Sequence, residues 1–387
     1  NRGLYLLSAI AARDFGWAGT TAIVERLEAT LATMERLRRF KGHFFNWYGT
    51  QDLRVLDPAY VSSVDSGNLA GHLIVLANAC EEWKGAPVAD AARLGMADTL
   101  ALAREALAAL PLASGAAGQQ VSSVLEELAI QLNRAQALDP LYPALARLTE
   151  KAARIAGDLL LAVGETDLGF WLEALRMSVA GHALDRRQRA DALTERLTAL
   201  AAAARRMALG MDFAFLLDAE RRLLSIGYSL ADNTPDPSCY DLLASEARLA
   251  SLFAVAKGDV STRHWFRLGR AATPLGSGSA LISWSGSMFE YLMPSLVMRA
   301  PLGSLLEQTN RLVVERQQSH GRALGIPWGI SESAYNARDL EFTYQYSNFG
   351  VPGLGLKRGL SENTVIAPYA TGLASMIDPR GAVLNYR

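Results

Sequence analysis

The sequence predicts an all-α protein of about twelve helices, closed as an (α/α)6 toroid with one small β-hairpin. Three observations predict it. Apolar residues recur at helical spacing through most of the 387 residues. No βαβ alternation occurs. No repeat of fixed period is visible, which counts against a TPR or HEAT array and favours helices paired into a double ring. An irregular helical bundle is the plainer alternative. The chain is expected to form a single domain over residues 1–387.

The elements follow in order. Residues 4–14 make an apolar helix ending near Gly16. Residues 21–39 carry Ile23, Leu27, Leu31, Met34 and Leu37 on one face. A third helix starts near Ser66 and runs to Trp83. Residues 87–210 are rich in Ala, Leu, Arg and Glu, with breaks at 111–118, 139–140, 164 and 182–185, giving about five helices of ordinary length. The segment 212–228 breaks the rhythm. Phe213, Phe215 and Leu217 alternate, then Leu224, Ile226 and Tyr228, around a polar turn; this is a β-hairpin signal. Helices resume at 237–257, 288–299, 302–319 and 362–376, joined by long connectors rich in Gly, Ser and aromatics.

Composition removes several function classes. Half the residues are hydrophobic and 20% are charged, with 38 basic against 39 acidic side chains. No basic excess exists to hold a phosphate backbone, so a nucleic-acid binder is not expected. Cys80 and Cys239 cannot build a disulfide framework or a cysteine zinc site. His43, His72, His182, His264 and His320 lack metal-motif spacing, so no metal and no cofactor is expected. No uncharged apolar run of about 18 residues occurs, so direct membrane insertion is not expected. The chain opens Asn1-Arg2-Gly3, without an initiator Met or signal-peptide pattern, and reads as a piece of something longer.

Aromatics are unevenly placed. Residues 84–210 hold only Tyr142, Phe170 and Trp171, and the flanks hold all the others. The middle therefore reads as scaffold, and the flanks as the source of an aromatic-lined face. Five stretches stand out: Gly42-His-Phe-Phe-Asn-Trp-Tyr48, Tyr60-Val-Ser-Ser-Val-Asp-Ser-Gly-Asn68, Tyr240-Asp-Leu-Leu-Ala-Ser-Glu-Ala-Arg248, Ser283-Trp-Ser-Gly-Ser-Met-Phe-Glu-Tyr291, and residues 325–336 followed by Glu341-Phe-Thr-Tyr-Gln-Tyr346. Each mixes Trp or Tyr with a carboxylate and small hydroxyl or amide side chains. A sugar site needs that mixture. Aromatic faces stack on the C–H face of a pyranose, polar groups address its hydroxyls, and a carboxylate pair does the acid/base or nucleophilic work. The plainer readings are core packing for any single ring and a solvated face for any single Glu. Gly276-Ser-Gly-Ser279 lacks the strand before it and the Lys-Ser/Thr after it that a phosphate loop needs, and reads as a turn. Ser62, Ser66 and Ser331 have no GxSxG context. His43 and His264 could either address sugar hydroxyls or be satisfied structural histidines.

The stretches Tyr60–Leu73, Tyr240–Leu249, His264-Trp-Phe-Arg-Leu-Gly-Arg270 and Ile326–Asn336 resemble the central domain of bacterial cyclic β-1,2-glucan synthases, and the resemblance covers almost the whole chain. It implies a very large inner-membrane protein. There a glycosyltransferase region elongates β-1,2-glucan, a phosphorylase-like region trims it, and the central domain closes the ring. It also implies similarity to (α/α)6 glycoside hydrolases acting on the same polymer, and reaction with retention. This domain would lie on the cytoplasmic face of the inner membrane as part of the full-length chain, with β-1,2-glucan and the neighbouring domains as its partners.

Ring closure breaks one β-1,2 bond and makes another, so no nucleotide sugar is needed. Retention fits a double displacement through a glycosyl-enzyme intermediate. Glu332 is expected as nucleophile, because it sits in a Gly/Pro/Trp-rich connector with Ser331, Ser333, Tyr335 and Asn336 available to keep it ionised. Glu246 is expected as acid/base, on a helix among Leu242, Leu243, Leu249 and Ala250, where burial raises its pKa. An ion pair between Glu246 and Arg248 is the competing structural role. Trp47, Tyr48, Asp65, Asn68, Trp284, Tyr335, Arg338, Tyr344 and Tyr346 are candidates for glucose subsites. Glu290 and Glu341 are reserve carboxylates. An endo-β-1,2-glucanase and a non-catalytic glucan-binding domain remain as alternatives.

Overall fold

The computed structural model describes residues 2–85, 89–111, 115–134, 137–163, 167–276 and 278–387. The breaks expected at Gly164 and within 111–118 fall wholly or partly outside the described residues. The chain divides into two compact units, Asn1–Arg36 with Leu73–Arg206, and Leu37–His72 with Met207–Arg387. The helical class holds, with fourteen α-helices among the described residues and only short strands.

The first unit is helical. It contains α1 (Arg2–Asp14), α2 (Thr20–Arg36), the later part of α3 (Ser63–Trp83), α4 (Ala89–Ala108), α5 (Ala116–Arg134), α6 (Tyr142–Val163), α7 (Asp167–Asp185) and most of α8 (Ala190–Leu209). The five helices expected between 87 and 210 are α4 to α8. The helix α4 packs on α5 and α7, and α6 packs on α5 and α7. Leu100, Leu125, Leu128, Leu145, Leu168 and Leu175 fill the interior between them. Such repeated apolar faces supply most of the stability of helices of this length. The start of α2 is held by α7, where the Asp185 carboxylate accepts the N–H groups of Thr20 (2.6 Å) and Thr21 (2.8 Å). A carboxylate there satisfies orphan donors and complements the positive end of the helix dipole.

The second unit mixes short helices with hairpins. Its helices are α9 (Arg248–Lys257), α10 (Arg263–Arg267), α11 (Met288–Leu292), α12 (Leu305–Leu324), α13 (Pro368–Ala374) and α14 (Pro379–Tyr386), beside residues 63–72 of α3. Tyr291, Leu292, Val313, Val351, Leu354 and Ala370 are central to its core. Several expected elements are shorter. The helix expected from 237 begins only at Arg248, because Ser245 takes a left-handed conformation (φ 53) that no helix continues. Pro368 sets the start of α13, since its ring supplies helical φ and its missing N–H is not needed there. A 3-10 turn, Met293–Leu296, replaces the continuation of α11, with Pro294 near its start.

The expected hairpin over 212–228 is only partly present. Leu217–Asp218 pairs with Leu223–Leu224, while Phe213 and Phe215 fall in and beside a 3-10 turn. Asp218 draws the chain round by accepting the N–H of Arg221 on its carboxylate and that of Arg222 on its carbonyl. Gly227–Ser229 then leaves this hairpin and pairs antiparallel with Tyr60–Ser62 and with Thr234–Pro235. That pairing brings the start of α3 to the segment preceding α9.

Gly67 and Ala250 set how closely α3 approaches α9. A Cβ built on Gly67 would lie 2.3 Å from the Ala250 Cβ. Gly67→Ala is therefore expected to destabilise the protein by about 1–3 kcal/mol, as overpacking of a tight contact does. Thermal melting checks it; an unchanged melting temperature would show that the two helices have room to part.

Candidate active site

Three carboxylates of the second unit meet, each delivered by a different segment. Glu246 stands in the turn just before α9, not on a helix as expected. It is 7% exposed among the buried side chains of Leu242, Leu243, Leu249 and Ala250. Its Oε1 accepts the Asn68 side-chain amide of α3 at 2.8 Å, and its Oε2 accepts the Ser245 hydroxyl at 2.5 Å. Burial raises its pKa, and the two donors oppose the rise. The ion pair with Arg248 does not form. That guanidinium donates instead to the carbonyls of Glu290 (2.7 Å) and Tyr291 (2.5 Å).

Glu290 lies on the first turn of α11 and is 2% exposed. Its Oε1 accepts the Ser245 N–H (3.1 Å), and its Oε2 accepts the N–H (2.9 Å) and hydroxyl (2.7 Å) of Ser285. With three neutral donors in place it joins the turns that carry Ser245 and Ser285.

Glu332 lies in the irregular connector between α12 and the strand Ser333–Arg338. That connector is held by side chains acting as strand partners. The Asn385 amide accepts the Trp328 N–H (3.0 Å) and donates to its carbonyl (2.8 Å). The Gln317 amide does the same at Ile330, at 2.9 and 2.8 Å. The Ser287 hydroxyl then accepts the Glu332 N–H at 3.1 Å, and the Tyr369 hydroxyl donates to its carbonyl at 2.6 Å. The carboxylate itself receives the Tyr346 hydroxyl on Oε1 at 2.9 Å. Burial, with Glu246 and Glu290 nearby as like charges, pushes its pKa up to about 7. The expectation that Ser331, Ser333, Tyr335 and Asn336 keep Glu332 ionised is thus revised. Ser331 bonds to Ser287 and Tyr369, Ser333 donates to the Ala334 carbonyl, and Tyr335 packs edge-on against Phe349.

The other candidates divide. Asn68 and Tyr346 reach the carboxylates directly. Asp65, exposed on the first turn of α3, lies close enough for its charge to raise Glu246. Trp284 is 54% exposed and adjoins Ser285, with its N–H on the Leu243 carbonyl. Trp47 is 64% exposed beside Asn46, which pairs with Tyr60 and Ser62 at the entry to α3. Tyr48 is structural, since its hydroxyl donates to the Arg38 carbonyl and accepts the Phe45 N–H. Glu341 is exposed in the turn of the hairpin formed by Ser333–Arg338 and Tyr344–Ser347, and Arg338 is exposed at the end of its strand. The side chain of Tyr344 lies outside the described residues. His264 has both ring nitrogens bonded, to the Arg222 carbonyl and the Ser251 hydroxyl. His43 is buried between Phe213 and Phe215 with Nε2 on the Asp212 carbonyl.

Sequence reasoning missed Ser245, Tyr240 and Tyr369. Burial raises the pKa of both tyrosines, and the charge of Glu246 raises them further. The available signal was position: Tyr240 and Ser245 lie in the same stretch as Glu246. A groove of about 700 Å³ between the hairpin 272–281 and α12, lined by residues including Thr273, Arg316 and Arg322, contains none of the candidate residues. Among the described residues no cluster of three or more His, Cys, Asp or Glu side chains could hold a metal ion, and no helix is long and apolar enough to cross a membrane.

No family model matches the chain. Along its whole length, it is 48% identical over 402 aligned residues to the cyclic beta-(1,2)-glucan synthase NdvB of Rhizobium meliloti (strain 1021), and it spans 14% of that relative's length.

The raised Glu332 pKa carries a stability consequence. In the unfolded chain this carboxyl ionises near 4.5, and in the folded protein near 7. The folded state therefore holds the proton more tightly, and stability falls as pH rises from about 4.5 through about 7, by up to about 3 kcal/mol. Glu332→Gln removes this ionisation. The variant is expected to melt close to wild type at pH 4 and well above it at pH 8. A gap that stays constant across that range would contradict the shift.

Proposed function

Because the chain is similar along its whole length to one segment of a cyclic beta-(1,2)-glucan synthase, we propose that it closes linear β-1,2-glucan into rings by retaining transglycosylation. The observation that carries this reading is the pair Glu246 and Glu332, a buried and a half-buried carboxylate whose charges oppose one another in a site walled by hydroxyl and aromatic groups. Both carboxyls are pushed toward the protonated form, so one of them can keep its proton while the other is ionised. In the working state Glu246, the more buried, holds it, and Glu332 is ionised.

The steps follow. A Glu332 oxygen attacks the anomeric carbon of the donor sugar, the bond from that carbon to the glycosidic oxygen breaks, and the departing oxygen takes the Glu246 proton. The hydroxyl at the far end of the same glucan then attacks the anomeric carbon. Its proton passes to Glu246, and the bond to Glu332 breaks. The Tyr346 hydroxyl steadies the attacking carboxylate. Trp47 and Trp284, exposed beside the segments that carry the carboxylates, supply rings on which an acceptor sugar can stack and displace water. Asp65 and Asn68 address sugar hydroxyls from α3.

In this reading residues 1–387 act as one catalytic domain, with the helix pairs closing as the (α/α)6 toroid. The longer protein adds a glycosyltransferase region and a phosphorylase-like region at the cytoplasmic face of the bacterial inner membrane.

Incubation with linear β-1,2-glucan, followed by mass spectrometry, tests the activity. Rings one water lighter than the linear chains are expected. Short linear products would indicate a hydrolase, and unchanged substrate a binding domain. Glu332→Gln should lower the rate by several orders of magnitude, roughly a thousandfold or more, with glucan binding kept. Activity within about tenfold, only ~1.4 kcal/mol of barrier, would move the nucleophile elsewhere. Trp47→Ala and Trp284→Ala should shift products from cyclic toward linear, and a parallel loss of both products in folded variants would remove the aromatic acceptor role. For pH, Glu332 must be ionised, so the rate should rise as pH passes through about 7.

A further inference from the structure

The turn that carries Glu246 includes a serine in a conformation that side chains avoid. Ser245 has φ 53, in the left-handed region that costs a non-glycine residue about 1 kcal/mol or more. Two bonds hold it there. Its N–H donates to Glu290 Oε1 at 3.1 Å, and its hydroxyl donates to Glu246 Oε2 at 2.5 Å. Glu290 is in turn fixed by the N–H and hydroxyl of Ser285. A surface turn that needed this φ would be served better by glycine. A serine kept here at a cost in strain indicates that the hydroxyl has work to do.

We propose that Ser245 is a positioning residue for Glu246, with Glu290 locking its backbone so that its hydroxyl faces the Glu246 carboxylate and stabilises the anion that forms as Glu246 gives its proton to the departing oxygen. The proposal rests on the acid/base reading of Glu246 given above. Glu246 loses its proton to the departing oxygen in the first step and must remain an anion until the acceptor hydroxyl arrives. Burial disfavours that anion, and Ser245 and Asn68 are the donors to its two oxygens. The charges facing Glu246 are Asp65 from α3, Arg248 from α9, Glu290 from α11 and Glu332 from the connector, with the phenols of Tyr240, Tyr346 and Tyr369 around them. Replacing Ser245 changes none of these groups. Without the hydroxyl the carboxyl holds its proton more tightly and gives it up less readily, so the first step slows more than the second.

The test compares Ser245→Ala and Ser245→Gly in the whole chain, with Glu246→Gln as reference. Glycine adopts φ 53 without strain, so Ser245→Gly keeps the turn and its N–H bond to Glu290. Both serine variants are expected to lose about ten- to a hundredfold in cyclisation rate. The basic limb of the pH–rate profile should move up by about one unit, as loss of a donor to the charged form requires. Glycosyl-enzyme should not accumulate above the wild-type level in intact-protein mass spectra during turnover, since its formation is the slowed step, and Ser245→Gly should melt at or above the wild-type temperature. A Ser245→Gly protein with rate and profile within about twofold of wild type, while Glu246→Gln is inactive, overturns the proposal. A lower rate with an unmoved basic limb overturns it equally, because a merely structural role would give that result. If Glu246→Gln is itself active, the acid/base reading fails first and the proposal falls with it.

Discussion

Everything around the site answers one electrostatic constraint: Glu246, Glu290 and Glu332 stand together, and the buried cation beside them does not neutralise them directly. Arg248 donates to two main-chain carbonyls, and burial lowers its own pKa to about 10. Unpaired buried carboxylates are costly, and the cost can be met by neutral donors or by retaining a proton. Both routes are used. Glu290 has three donors from Ser245 and Ser285, Glu246 has Ser245 and Asn68, and Glu332 has only Tyr346. Glu332, with the fewest donors, has its pKa pushed up to about 7, and burial raises that of Glu246 as well. Among the serines of 283–287 and 331–333, Ser285 meets the need for neutral donors directly, while Ser287 bonds to Ser331 and accepts the Glu332 N–H.

The same constraint explains why the site is built on irregular backbone. Donors must converge from several directions, which one helix face or one strand cannot provide. Short turns before α9, before α11 and after α12 supply them, and each is pinned where it would otherwise be loose. Gly67 lets α3 lie close enough for Asn68 to reach Glu246. Ser287 caps α11 and also receives the Glu332 N–H, so a helix start and the connector share one hydroxyl.

The helical class was legible because the apolar periodicity of α2 and of α4 to α8 is long and regular. The helix ends in the second unit were not. The 237–257 segment looks continuous in sequence, and the break at Ser245 is held by bonds to its neighbour Glu246 and to Glu290, which lies far along the chain. The 212–228 hairpin was misjudged for a similar reason. Its second apolar run pairs with Tyr60–Ser62, and alternation alone names no partner. At the candidate site, residue types singled out Glu246, Glu332, Asn68 and Tyr346, and the structure brings these together. Tyr48 and Tyr335 looked equivalent to Tyr346 in composition, but one is anchored to the Arg38 carbonyl and the other packs on Phe349. A tyrosine's role depends on where its hydroxyl points, and spacing does not encode that.

The two amide clamps tie the geometry of Glu332 to residues remote from it in sequence. Asn385, on α14, holds Trp328, and it also donates to Thr371 of α13. The peptide planes leading to Glu332 are therefore set in part by the last helix of the chain. A fragment of this protein that ends between residues 346 and 384 would keep every carboxylate of the site and still lose one of the two fixed points from which the connector is aimed.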